Sequence, residues 1–206
     1  MRVIKCRKVG GEFRLGKTAT EDVCKVVSEG GLVIYPTETV YGLGADPFQE
    51  DAVKRIFAVK HRPRSMPISM AIPSHEAIWL YAVLDKKSKR FCEKHMPGPI
   101  TVLLMANSLA PPRLVSKEGR IGFRVPDNQV ALDLLSECSP LTATSANRHG
   151  GKNPITCDDA VEQLGGDVDL CIDAGPCRYG EESTVVEFED GKPRIIRQGS
   201  LLMEDF

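Results

Sequence analysis

The chain has 206 residues, 27 Lys and Arg against 28 Asp and Glu, and a formal net charge of −1. With 42% hydrophobic and 27% charged residues, it has enough apolar material and little enough net charge to exclude a disordered chain. No stretch approaches the roughly 20 apolar residues of a membrane span, and the near-neutral balance speaks against a surface that grips nucleic acid all over, leaving room for a local basic cleft.

Residues 2–9 carry charges within an apolar run and predict a strand rather than a signal peptide, stopped by Gly10-Gly11. Residues 20–29 predict a helix with Val23, Val26 and Val27 on one face and Gly30-Gly31 as its stop. Residues 32–35 form a short buried strand closed by Pro36. In residues 50–60, Val53, Ile56 and Phe57 recur at i, i+3 and i+4 and predict a second helix. A strand at 67–72 and helices at 74–83 and 86–94 follow. Pro97-Gly98-Pro99 punctuates before a strand at 100–105. Then come a strand at 121–125, a helix at 130–138, and a strand at 141–144 that runs into a polar loop. A helix near 157–164 and strands near 170–173, 184–188 and 194–197 complete the pattern. This alternation predicts one α/β domain with a mixed sheet covered by helices. Ligands of open α/β sheets sit beyond strand ends, so the loops after strands carry the functional reading.

The seven cysteines are Cys6, Cys24, Cys92, Cys138, Cys157, Cys171 and Cys177. They are odd in number, scattered, and contain no Cys-x-x-Cys pair, which points away from a disulfide framework or a zinc site. The expectation is mostly buried thiols in a reducing cytoplasm.

Gly11-Glu12-Phe13-Arg14-Leu15-Gly16-Lys17-Thr18 fits the phosphate-loop pattern between a predicted strand and helix. Such a loop turns N–H groups onto phosphate and favours small residues, whereas this one holds Glu12, Phe13 and Leu15. A polar turn is the competing reading, and Asp173 is only a weak candidate for the acidic partner.

Four other stretches carry candidate chemistry. In Tyr35-Pro36-Thr37-Glu38-Thr39-Val40-Tyr41-Gly42-Leu43-Gly44, a strand delivers two hydroxyls and a carboxylate into a loop, and the glycines permit close approach or positive φ. An ordinary solvated turn is the alternative. In Lys60-His61-Arg62-Pro63-Arg64, Lys60 shares the apolar stripe of its helix, so its charge needs an anionic partner or a route to solvent. Arg62 and Arg64 extend the positive charge and suit a polyphosphate, or simply complement a helix C-terminus. Thr142-Ala143-Thr144-Ser145-Ala146-Asn147, with Gly150-Gly151 behind it, again ends a strand in hydroxyls and an amide. Gly180-Glu181-Glu182-Ser183-Thr184 leads into a strand, and Arg197 ends another. Arg124 points opposite to Phe123 and Val125, to solvent or into a polar pocket that binds a carboxylate.

Five segments resemble, in order, the threonylcarbamoyl-adenylate synthase family, the YrdC-like proteins of tRNA modification. They are Pro36-Thr37-Glu38-Thr39-Val40-Tyr41-Gly42-Leu43, Lys60-His61-Arg62-Pro63, Pro97-Gly98-Pro99, Ser145-Ala146-Asn147 and Glu182-Ser183-Thr184-Val185-Val186. Lys-x-Arg with a distant Ser-x-Asn is that family's signature, and the resemblance covers about residue 20 to residue 199. It implies a twisted mixed sheet flanked by helices, with a concave, positively charged cleft. It also implies a short form, residues 1–206 as one catalytic domain without the family's extra C-terminal domain.

The implied reaction joins L-threonine, bicarbonate or carbon dioxide, and ATP into L-threonylcarbamoyl-adenylate and pyrophosphate. Mg²⁺ accompanies the ATP, and the protein itself holds no metal. A partner transferase then modifies adenosine 37 of tRNAs reading codons that begin with A.

By position, the resemblance puts Lys60 and Arg62 at the ATP phosphates as the catalytic pair. Arg64, Ser145, Asn147, Asn153 and Arg197 border the nucleotide. Thr37, Arg124 and Ser183 hold threonine, with Arg124 on its carboxylate; Ser69 and the backbone at Ala143 lie on the same side. The sequence departs from the family at Thr144, where a proline usually stands, at Asn153, where a serine is common, and at Arg64-Ser65-Met66-Pro67-Ile68. Neutralising and aligning anionic reactants is the task such a set implies, and no histidine among His61, His75, His95 and His149 sits in a motif for a base.

Two rivals remain at this level. A non-catalytic module could grip tRNA or double-stranded RNA with the basic cleft and Lys86-Lys87-Ser88-Lys89-Arg90, although aromatic–basic interleaving for base stacking is lacking. An ATPase could be built on Lys17.

Overall fold

The computed structural model describes residues 1–189 and 191–202. The chain end expected at Phe206 lies outside the described residues. Strand β1 (Arg2–Lys5) is followed by a hairpin of β2 (Arg7–Val9) and β3 (Glu12–Arg14), and then by α1 (Lys17–Ser28), β4 (Val33–Tyr35) and β5 (Gly42–Gly44). Next come α2 (Glu50–Lys60), β6 (Ser69–Ala71), a 3₁₀ turn at His75–Leu80, β7 (Ala82–Val83), α3 (Lys86–His95), β8 (Ile100–Ala106) and β9 (Arg120–Arg124). The rest is α4 (Gln129–Glu137), β10 (Leu141–Ser145), α5 (Cys157–Leu164), β11 (Leu170–Asp173), β12 (Thr184–Glu189) and β13 (Lys192–Arg197).

One large mixed sheet runs β1-β11-β4-β5-β10-β6-β9-β8-β12-β13, with β7 on the side of β8. Pairing is parallel at β1/β11, β11/β4, β6/β9 and β8/β12, and antiparallel at the other joins of that path. The expected α/β fold with a mixed sheet is therefore present. At the β4/β11 end both faces are covered. Val33, Tyr35, Leu170 and Ile172 meet Val23 and Val27 of α1 and Val130 and Leu134 of α4. Ile34, Leu43 and Cys171 meet Ile56 of α2 and Ala160 and Leu164 of α5. Continuous apolar strands such as 32–35 are what a doubly covered sheet demands. At the β8/β9 end, Val102, Leu104, Ile121, Phe123 and Val186 pack with Phe91 and Cys92 of α3 on one face only. The other face stays open.

Several expectations change. The strand predicted at 2–9 splits between two sheets, because Gly10 and Gly11, at φ 60° and 91°, turn the chain back as a hairpin that a side chain would resist. That hairpin removes the phosphate-loop alternative. Glu12–Arg14 is extended and paired with β2, and Phe13 and Leu15 pack against the core, so no loop is free to wrap a phosphate. The helix expected at 74–83 stops as a 3₁₀ turn, since Ala82 and Val83 pair with Ala106 and Met105 at the sheet edge. Among the cysteines, Cys24 of α1 and Cys138 at the end of α4 form a disulfide, which the scattered spacing concealed. Cys92, Cys157 and Cys171 are buried thiols, and Cys6 and Cys177 half-buried ones. Among the described residues, no helix is long and apolar enough to cross a membrane.

Candidate active site

The open face of the β8/β9 half forms the floor of a cavity of about 870 Å³. Strand geometry builds it, since alternate side chains point to opposite faces. Thr101, Leu103 and Met105 of β8 line the cavity, while Ile100, Val102 and Leu104 enter the core. Arg120, Gly122 and Arg124 of β9 do the same against Ile121 and Phe123. Val185 and Glu187 of β12 and Arg194 and Ile196 of β13 extend the floor, and Tyr35, Gly42, Ser69, Ala143 and Ser145 close it from the other half of the sheet.

One polar cluster forms where β4 ends at Pro36. The loop crosses over and returns as β5, with Tyr35 opposite Gly42. A Cβ on Gly42 would lie 2.8 Å from Cζ of Tyr35, and one on Gly44 2.9 Å from its Cε1, so these glycines serve close approach of an aromatic ring. The loop between them is knotted internally: Thr37 Oγ1 donates to the Val40 carbonyl at 2.6 Å and lies 2.9 Å from Thr39 Oγ1. Arg124 Nη2 donates to Thr39 Oγ1 at 2.6 Å and reaches Thr37 Oγ1 at 3.4 Å. Of the two directions left open for Arg124, the polar pocket is the one found. Behind it, Glu38 Oε1 approaches Nη2 at 3.0 Å as an ion pair. Neither Glu38 oxygen, nor Arg124 Nε, has an aligned hydrogen-bond partner among the described residues. The guanidinium thus has its counter-charge on the protein side and faces the cavity with its remaining surface.

A second cluster gathers at the ends of α2, β10 and β13. Lys60 is 2% exposed. Its Nζ donates to the main-chain carbonyls of Ser145 and of Asn147, the latter at 2.6 Å, and to Asn147 Oδ1 at 3.2 Å. The partner that its inward position demands is therefore a set of carbonyl dipoles rather than an anion. Burial and the Arg62 charge push its ammonium down to about 8, against a smaller opposing pull from Glu182. Ser145 Oγ donates to Asn147 Oδ1 at 2.6 Å, and Asn147 Nδ2 to the Gly151 carbonyl at 3.0 Å. Arg62 donates to the carbonyls of Met66 and Pro67 at 3.2 and 3.0 Å, and burial lowers its pKa. Glu182 accepts from Ser145 Oγ at 3.1 Å and pairs with Arg197 Nη1, while Arg197 Nη2 donates to the Ser183 carbonyl at 2.8 Å.

Of the residues singled out from sequence, Thr37, Arg62, Ser69, Arg124, Ala143, Ser145, Ser183 and Arg197 lie on the wall of this one cavity. Lys60 and Asn147 do not; they are buried beneath the Ser145 loop and hold it. Lys60 was expected to face phosphates directly, and in this structure its three donor directions are spent on that loop. Arg64 is exposed in a turn away from the wall. Asn153 donates to the Gly180 carbonyl at 3.2 Å, also off the wall. Sequence reading passed over Thr101, Arg120 and Arg194, and named Glu182 in its stretch without giving it a role; all four line the cavity. The period-two spacing of Arg120 and Arg124 was the available signal for one of them.

The family model Sua5/YciO/YrdC, described as "Telomere recombination", matches residues 25–199. A threonylcarbamoyl-AMP synthase of Pyrococcus abyssi is 36% identical over 182 residues, 87% of this chain and 53% of that protein. A Methanocaldococcus jannaschii relative, provisionally named a threonylcarbamoyl-AMP synthase, is 34% identical over 198 residues, 96% of this chain and 93% of that one. The crystal structure of P. abyssi Sua5 complexed with L-threonine superposes with a TM-score of 0.91 at 33% identity, covering 100% of this chain and 59% of that chain. The chain thus spans little more than half the length of the P. abyssi protein. Escherichia coli YciO shares the fold, with a TM-score of 0.87 at 24% identity over 100% of this chain and 98% of that one. By the extent of these matches, the chain belongs to the Sua5/YciO/YrdC family.

Proposed function

We propose that this protein is an L-threonylcarbamoyladenylate synthase. It condenses L-threonine, bicarbonate or carbon dioxide, and ATP into threonylcarbamoyl-AMP and pyrophosphate, and a downstream transferase passes the threonylcarbamoyl group to adenosine 37 of tRNA. The observation that carries this is the joining of both polar clusters by one hollow. Arg124 and Thr37 line it together with Arg62, Ser145 and Arg197, so a carboxylate-bearing amino acid and a phosphate chain can lie side by side.

Arg124, already aligned by Thr39 and Glu38, takes the threonine carboxylate as a charge-assisted pair. Thr37, Ser69 and Ser183 and the backbone at Ala143 surround the rest of the amino acid. Once its proton is lost, the amine adds to carbon dioxide. A carbamate oxygen then attacks the α-phosphorus as the bond to pyrophosphate breaks. Arg62 and Arg197 draw the phosphate oxygens into line and offset the charge that builds there. Lys60 acts one step back, by fixing the carbonyls and the Ser145 hydroxyl of the loop. Among the described residues there is no group of three or more His, Cys, Asp or Glu arranged for a metal. For a magnesium ion that accompanies ATP as part of the substrate, the Glu182 carboxylate on the cavity wall would supply a suitable oxygen ligand.

Pyrophosphate release is the test. It should require threonine, bicarbonate and Mg²⁺-ATP together, vanish in Arg62→Ala, and persist in Lys17→Ala. Release that ignores threonine, or that survives Arg62→Ala, overturns the assignment.

A further inference from the structure

Glu182 occupies an odd place for a carboxylate. It sits among the cations that a polyphosphate would use, accepting from Ser145 Oγ at 3.1 Å and pairing with Arg197 Nη1. Its charge also supports the Lys60 ammonium and the Arg62 guanidinium. The other two carboxylates on the cavity wall are engaged elsewhere. Glu187 pairs with Arg120 at 3.0 Å and with Arg194, and the Glu118 carboxylate is held by Ser116 in its own turn. Glu182 therefore neutralises, from inside, the charge that should attract a nucleotide.

A bare triphosphate entering here meets an anion at contact range. A hard divalent cation removes the conflict, because it takes oxygen ligands from a carboxylate on one side and from phosphates on the other. We propose that Glu182 sets the metal requirement of this site: it turns away metal-free polyphosphate and admits the cation-bound form. This rests on the nucleotide reading given above and adds a specificity-determining residue to it.

Calorimetric titration of ATP and of inorganic pyrophosphate, each with excess EDTA and with Mg²⁺, reads the effect directly. Glu182→Gln keeps the size of the side chain and an acceptor for Ser145 while removing the charge. Wild type should bind Mg²⁺-ATP at least tenfold more tightly than metal-free ATP. In Glu182→Gln the metal-free form should tighten by about tenfold, the effect of one close like charge, and the advantage of Mg²⁺ should shrink to match. Glu182→Asp, which restores a carboxylate, should regain the wild-type ratio, and this guards against a merely structural loss. An unchanged ratio in Glu182→Gln, or an equal loss with and without metal that Asp does not repair, overturns the role of Glu182 alone. Absence of ATP binding by wild type under both conditions overturns the nucleotide reading, and the role of Glu182 with it.

Discussion

Replacing Lys60 by methionine removes an ammonium without emptying the space its stem fills. The carbonyls of Ser145 and Asn147 then lose their donor inside the fold, whereas Asn147 Oδ1 keeps Ser145 Oγ at 2.6 Å. A buried carbonyl stripped of its partner costs about 1–3 kcal/mol. The two together come to about 4 kcal/mol at mid-range, which for a chain of this size is a fall in Tm of about 8–16 °C. Arg62→Met is the comparison. Arg62 is only half-buried and bonds to carbonyls of its own following turn, so its loss should cost about 1 kcal/mol or less. Both variants should lose ATP binding, Arg62→Met by losing a contact and Lys60→Met by losing the loop's shape. Thermal unfolding followed by fluorescence, paired with ATP calorimetry, separates the two routes. A Lys60→Met protein that melts within a degree or two of wild type yet fails to bind ATP would refute the loop-holding role. It would place the ammonium on the nucleotide instead.

Three further outcomes follow from the same coordinates. Because Lys60 sits at about 8 in the fold against an ordinary 10.5, the unfolded chain holds a proton that the folded one has released between those values. Stability relative to Lys60→Met should accordingly rise with pH across that window, by up to about 3 kcal/mol, and unfolding curves at pH 7, 9 and 10.5 check the sign. Gly42→Ala forces a Cβ to 2.8 Å from the Tyr35 ring; it should destabilise by about 1–3 kcal/mol, visible as a lower urea midpoint at unchanged slope. Reducing the Cys24–Cys138 disulfide, which closes a sequence separation of 114 residues, should cost up to about 4–5 kcal/mol in the loop-entropy view, read as the shift of Tm with a reducing agent in the buffer.

Periodicity made most of the fold legible. The helix at Glu50–Lys60 and the strand at Leu170–Asp173 stand where apolar spacing put them. Spacing failed where pairing with a distant strand decided the outcome. Gly42–Gly44 and Ala82–Val83 are strands only because β4 and β8 offer them an edge, and neither has a pattern of its own. The site was legible in part through chemistry: a lysine on an apolar helix stripe had to find a partner. What local sequence could not supply was the kind of partner, since carbonyls at Ser145 and Asn147 leave no trace in residue type. Ile100–Ala106 is a similar case: Leu103 and Met105 on one face are as apolar as Val102 and Leu104 on the other, and Thr101 alone marks the face open to the cavity.

The parallel pairing of β12 with β8 and the antiparallel pairing of β13 with β12 have a consequence during synthesis. One side of the hollow, at Ser183 and Arg197, leaves the ribosome well after Thr37 on the opposite side. A nascent chain halted before Thr184 can bury its early helices yet owns only half a pocket, with the floor of β8 exposed along one edge. Competence to bind should then appear abruptly, at a chain length just past Arg197 plus the exit tunnel, rather than growing with each added strand.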